Sequence, residues 1–148
     1  MDLKDLYQDI ILDHGQHPRN FGKVEPCNHQ AHGHNPLCGD TVTVYLDVEG
    51  DRVAKISFEG RGCAISQASA SLMTEVVEGK TVAEARALFG DFQARATGKP
   101  SETPAGLEED VERLEPLTGV KAYPMRVKCA VLAWHTLIAA LEGKEKAS

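Results

Sequence analysis

No apolar run in this chain is long enough to cross a bilayer. The longest, Ala130 to Leu141, is interrupted by His135 and Thr136, whereas a spanning helix needs about 20 apolar residues. It reads as a core helix, and no membrane association is expected. Positive charge is also scarce. Sixteen basic residues stand against 22 acidic ones, a net charge of −6, and no basic cluster offsets the balance. Such a surface repels phosphate backbones, which argues against nucleic acid as a partner. The opening residues, Met1-Asp2-Leu3-Lys4-Asp5, form no basic, apolar or small-residue leader. With only four cysteines, this favours a reducing, cytoplasmic setting in which thiols stay free or bind metal. Paired Cys-x-x-Cys knuckles, the mark of common zinc fingers, are missing, as is any internal repeat.

The residues that are present suffice for one domain. A chain of 148 residues, 42% hydrophobic, can bury a core of its own without staples. Residues 1–148 read as a single unit, with 1–143 as its core and 144–148 as a charged, frayed tail. Leu3, Leu6, Tyr7, Ile10 and Ile11 recur at helical spacing up to Gly15 and predict a first helix of about three turns. Pro18, Gly22 and Pro26 mark the loop that follows. From Thr41 to Phe58 the period changes to two, predicting an antiparallel hairpin that turns at Gly50-Asp51. His29 to His34 form a weaker third strand, because Gly33 and Asn35 interrupt it.

Helices complete the chain. One runs from about Cys63 to Glu78, with Ile65, Ala68, Leu72 and Val76 as its stripe and Gly79 as its stop. A capping box, Thr81 to Glu84, opens a second that carries Val82, Ala85, Leu88 and Phe89. A third, acidic helix carries Leu107, Val111 and Leu114, after a polar, hinge-like stretch from Thr97 to Pro104. The last starts near Pro124, and Val127, Val131, Trp134, Ile138 and Leu141 give it a continuous buried face. The fold class is therefore α+β: a small antiparallel three-stranded sheet packed with several helices.

Four residues carry the chemistry. Cys38 and Asp40 flank Gly39, Cys63 follows Gly60-Arg61-Gly62, and Cys129 lies five residues after Pro124. Together they suit a metal-held thiolate site, able to bind zinc or iron or to attack sulfur. Cys63, at a helix start, faces unpaired amides and the positive end of the helix dipole, which favour its thiolate. Cys38, on a loop beside a glycine, is the candidate nucleophile. Four anionic ligands around a divalent ion leave two formal negative charges, and Arg126, one turn before Cys129, is the expected offsetting partner. Spacing alone leaves a second reading equally open: three buried cysteines with no ligand role.

The motifs around these residues resemble those of the IscU-like family of iron–sulfur cluster assembly proteins, and within it the SufU-type branch. Leu6-Tyr7, Ile11-Leu12-Asp13-His14 and Pro18-Arg19-Asn20-Phe21-Gly22 match its opening helix and loop. Asn35-Pro36-Leu37-Cys38-Gly39-Asp40, Gly62-Cys63-Ala64-Ile65-Ser66-Gln67-Ala68-Ser69 and Arg126-Val127-Lys128-Cys129-Ala130 with Trp134 match its three cysteine motifs. The resemblance runs from Leu3 to about Leu141. It implies an IscU/SufU-like fold and a zinc-dependent sulfurtransferase, with Cys38, Asp40, Cys63 and Cys129 holding zinc and Cys38 also receiving sulfur. The implied donor is a pyridoxal-phosphate-dependent cysteine desulfurase of the SufS type, and the implied recipient a downstream iron–sulfur scaffold. Lys128 stands where scaffold-type members have a histidine, the segment between Cys63 and Cys129 is longer than theirs, and their Leu-Pro-Pro-Val-Lys chaperone peptide is missing. A scaffold holding iron or a transient [2Fe-2S] cluster is the alternative, and a non-catalytic zinc-binding interaction module a third. The fourth ligand position stays open to water, His34 or a partner residue in place of Asp40.

Other residues have ordinary readings. Cys27 is expected to be a loop or core thiol, and His29 and His32 polar strand residues. His34 is the best spare ligand, His14 a cap on the first helix's last carbonyls, and His135 a surface or satisfied core group. Glu108-Glu109-Asp110 reads as a solvated helix face that could also steer a basic partner surface.

Overall fold

Alternation along the hairpin builds the sheet. The protein is described here by a computed structural model covering residues 3–36 and 39–144. Cys38 and the tail from residue 145 onward therefore lie outside the described residues. Strand β1 spans His29–Asn35, β2 Asp40–Glu49 and β3 Arg52–Arg61, all antiparallel in the order β1-β2-β3. Val42, Val44 and Leu46 of β2 and Ile56 and Phe58 of β3 are buried, with Val44 opposite Phe58 and Leu46 opposite Ile56. A register shift between Asp47 and Val48 then re-pairs Val48 with Val53, as an extra residue in one strand requires.

The weak third strand is a full one. Gly33, which argued against it, faces helix α5 (Pro124–Leu141), and a Cβ there would collide with Thr136 Oγ1. The missing side chain lets the helix lie on the strand. The outer edge of β3 is covered by the loop after α1 (Leu3–Gln16). Phe58 N–H donates to the Asn20 carbonyl (3.0 Å), and Gly22 N–H donates to the Phe58 carbonyl (2.8 Å). Asn20 sits at φ 56°, a left-handed conformation that asparagine tolerates. The edge is thus closed to stray pairing.

Helices α2 (Ala64–Val77), α3 (Val82–Ala96), α4 (Glu108–Leu114), a 3-10 segment (Glu115–Ala122) and α5 follow. The capping box forms as expected: Glu84 N–H donates to Thr81 Oγ1 (3.1 Å) and Thr81 N–H to Glu84 Oε1 (3.0 Å). Three stripes differ from expectation. Helix α5 packs against β1 and β2 on one side and α2 and α3 on the other, so burial extends round it to Ala130, Ala133, Leu137 and Ala140, while Val127, Ile138 and Leu141 are only half-buried. Helix α2 is likewise buried on nearly every side, with Ser69, Ser71 and Thr74 inside. On α3, Phe92 rather than Phe89 is the fully buried ring, stacked 5.3 Å from Trp134.

The stretch from Thr97 to Pro104 is no loose hinge. Ser101 Oγ donates to Asp91 Oδ1 (2.6 Å), and Arg95 bridges Asp91 and Thr103 at 3.0 Å. Of the acidic run, Glu108 and Glu109 are exposed, but Asp110 is half-buried and paired with Lys80 Nζ at 3.2 Å. His14 does not cap α1. It is buried, with Nδ1 2.7 Å from Ser71 Oγ and Nε2 3.6 Å from Glu75 Oε1, and so ties α1 to α2. Among the described residues no helix is long and apolar enough to cross a membrane.

Candidate metal centre

The hairpin register determines where the site forms. Thr41 pairs with Arg61, so Asp40, at the start of β2, lies beside Gly62-Cys63, which leave the end of β3. Cys63 is the N-cap of α2, extended at φ −67° and ψ 168°. Its thiol therefore stands at the helix N-terminus, half-buried. Cys129 comes from the second turn of α5 and is 4% exposed. The next residue, Ala130, accepts through its carbonyl a hydrogen bond from Ser69 Oγ of α2, which holds this turn of α5 against the first turns of α2. Gln67 Nε2 donates to the Gly60 carbonyl (3.2 Å) and fixes α2 to the end of the sheet.

Asp40, Cys63 and Cys129 thus converge, each offering a ligand atom within 4.8 Å of the others. Asp40 is 2% exposed. Its Oδ1 accepts the Cys63 backbone N–H at 3.1 Å, and its Oδ2 lies 3.9 Å from Cys63 Sγ. Tetrahedral zinc, with bonds of about 2.3 Å to sulfur and 2.0–2.2 Å to oxygen, separates such a pair of ligand atoms by roughly 3.5–3.7 Å. The observed spacing is within a few tenths of an ångström of that. Two thiols and a carboxylate, largely withdrawn from water, fit a borderline divalent metal, and iron accepts the same donors.

The remaining expectations separate cleanly. His34 is exposed and pairs with Thr41, whereas Asn35, buried, pairs with Asp40. Neighbouring residues on a strand face opposite ways, so His34 points away from the Asp40 side and is not grouped with the three candidate ligands. His32 lies exposed on the same outer face with Nδ1 2.6 Å from Thr43 Oγ1, and His29 Nδ1 contacts Asn28 Oδ1 at 2.8 Å. Cys27 donates to the His29 carbonyl (3.2 Å) away from the cluster. His135 packs edge-on against Phe89, and burial lowers its pKa from the ordinary 6.5. Arg126 is exposed in the first turn of α5. It borders an apolar groove of about 730 Å³ that also touches Leu12, Ala64 and Tyr123, a feature the sequence reading did not anticipate because its walls come from three separated segments.

The profile of the family described as the NifU-like N-terminal domain matches residues 6–130. The chain belongs to that family. The matched span contains Asp40, Cys63 and Cys129, and the IscU-like architecture recurs in solved structures. A crystal structure from Fervidobacterium islandicum AW-1, described as an iron–sulfur cluster assembly scaffold protein for the SUF system, superposes with a TM-score of 0.83 at 37% identity, covering 95% of this chain and 99% of the other. The NifU-like chain is also 37% identical over 135 residues to the zinc-dependent sulfurtransferase SufU of Bacillus subtilis, spanning 91% of this chain and 88% of that one. It is 38% identical over 142 residues to the iron–sulfur cluster assembly scaffold protein IscU of Thermotoga maritima, spanning 96% of each.

Proposed function

We propose that this protein is a zinc-dependent sulfur acceptor in iron–sulfur cluster assembly, working in the cytoplasm with a pyridoxal-phosphate-dependent cysteine desulfurase of the SufS type and delivering sulfur to a downstream scaffold. The convergence of Asp40, Cys63 and Cys129 within 4.8 Å carries this reading. The similarity to a zinc-dependent sulfurtransferase supports it, as does Lys128 ahead of Cys129.

The proposed zinc ligands are Cys38, Asp40, Cys63 and Cys129. Bound zinc would supply Lewis acidity that keeps the coordinated sulfurs ionised at neutral pH. A free thiol, with a pKa of about 8.5, is only a few per cent thiolate there. Cys38, assigned from its sequence motif, is the proposed acceptor. Its thiolate attacks the outer sulfur of the donor's cysteine persulfide, the donor's S–S bond breaks, and the donor cysteine leaves as a thiolate while Cys38 becomes the persulfide. One S–S bond replaces another, so no external oxidant or reductant enters. Asp40 steadies the site by accepting the Cys63 amide N–H. Arg126, exposed in the first turn of α5, is the cation proposed to stabilise the departing thiolate.

The Thermotoga relative favours a second reading, in which the same thiolates hold a nascent [2Fe-2S] cluster as cargo. Intact mass after incubation with desulfurase and cysteine separates the two. The parent should gain one sulfur atom and Cys38→Ser none. No gain in either, with the desulfurase active, together with a stable coloured cluster after anaerobic reconstitution, would transfer the assignment to the scaffold.

A further inference from the structure

We infer that Gly62 is the positioning residue of the Asp40 carboxylate, the space left by its missing side chain being what lets Asp40 reach the N-terminus of α2. The inference rests on the metal-binding reading of this site. Gly62 has a φ outside the left-handed region, so its backbone alone would accept alanine. Space is the obstacle. A Cβ on Gly62 would lie 2.6 Å from Asp40 Oδ1 and 2.9 Å from its Cγ, and 3.1 Å from Ser66 Cβ. The carboxyl group is short, buried and tied through Oδ1 to the Cys63 N–H at 3.1 Å, so it can yield only by rotating. Rotation breaks that hydrogen bond and moves Oδ2 from its place 3.9 Å from Cys63 Sγ.

A second glycine in the segment shows the contrast. A Cβ on Gly60 would strike the backbone of Thr41 and Val42, a conflict over strand spacing. The conflict at Gly62 is with a candidate ligand itself. One methyl group there should therefore act on the metal site through Asp40, as partners that orient ligands do elsewhere, where their loss costs about 10–100-fold in metal affinity.

The test is a double-mutant cycle of Gly62→Ala and Asp40→Ala, read on two properties. In the metal-free protein, thermal unfolding should show Gly62→Ala destabilising beside Asp40 and much less so in the Asp40→Ala background. In the metal-loaded protein, zinc competition and the visible spectrum of bound Co²⁺ should show Gly62→Ala weakening affinity about 10–100-fold and shifting the cobalt bands. The double variant should then match Asp40→Ala within about twofold, the scatter of additive pairs. Parent-like affinity and spectrum in Gly62→Ala, or losses that multiply in the double variant, would overturn the inference. If Gly62→Ala does not fold, folding restored by Asp40→Ala supports it and failure of the double variant refutes it. A parent that binds neither metal would sink the metal reading, while the metal-free cycle would still decide whether Gly62 places Asp40.

Discussion

Asp40 differs from a third cysteine or a histidine because its two oxygens face different groups, Oδ1 the Cys63 amide and Oδ2 the Cys63 thiol. With Oδ1 accepting the Cys63 amide, Oδ2 is left to serve, in the proposed metal site, as a single oxygen ligand beside the sulfurs. Cys63 and Cys129 share this cluster, whereas the Cys27 thiol donates to the His29 carbonyl. Cys63→Ser and Cys129→Ser should each abolish stoichiometric zinc binding, and Cys27→Ser should keep it, as read by metal analysis after dialysis against a weak chelator. Retained zinc in either of the first two, or loss in the third, would redraw the ligand set. The cysteines and Asp40 could be picked out of the chain because they are few, sit beside glycines and mark helix starts. His34 could not be placed by type or proximity, since the two-residue alternation of β1 decides which side it faces, and that depends on register.

Elements are held together by polar contacts whose contributions can be measured separately. The Thr81–Glu84 capping box satisfies amides at the start of α3, and removing such a cap costs about 1 kcal/mol. Thr81→Ala should lower stability by that amount in urea unfolding, with zinc content unchanged. His14 joins α1 to α2, and its pKa is lowered from 6.5 by burial and by the nearby Arg19, with Arg113 adding to this and Glu75 and Asp13 opposing it. The folded protein therefore binds this proton less readily than the unfolded chain. Stability should be level above about pH 6.5 and fall as pH drops below it, until the folded pKa is reached. His135 acts in the same direction. The Tm of the metal-free parent should fall between pH 7.5 and 5.5, and His14→Gln should flatten that slope; an unchanged slope would remove His14 from the account. The capping box was legible because it is local. The buried role of His14 was not, since its partners Ser71 and Glu75 lie 57 and 61 positions away. For the same reason α2 and α5 looked like one-sided helices: a stripe reveals that a helix packs, and only the assembled layers reveal that these two are covered from both sides.

At the scale of the whole molecule, the metal would join segments that the chain keeps far apart: the start of β2, the N-terminus of α2 and the second turn of α5. A ligand that binds only the folded state stabilises it by mass action, by about 2.7 kcal/mol when free metal is 100 times its Kd. For a domain of this size each kcal/mol moves Tm by roughly 2–4 °C, so removing zinc should lower it by about 5–11 °C. It should not unfold the protein. The core around Trp134, Phe92, Phe58 and Leu46 is fully buried, and none of these residues is a candidate ligand. Small zinc modules whose folding depends on the metal behave otherwise. Chelation at 25 °C should therefore leave far-UV circular dichroism essentially unchanged while Tm drops, and added zinc should restore it. Loss of helical signal on chelation would mean that the metal holds the fold itself, which favours a structural zinc module. Retention would mean that the domain keeps its shape with or without the metal, as the proposed role of Cys38 as a sulfur acceptor would require.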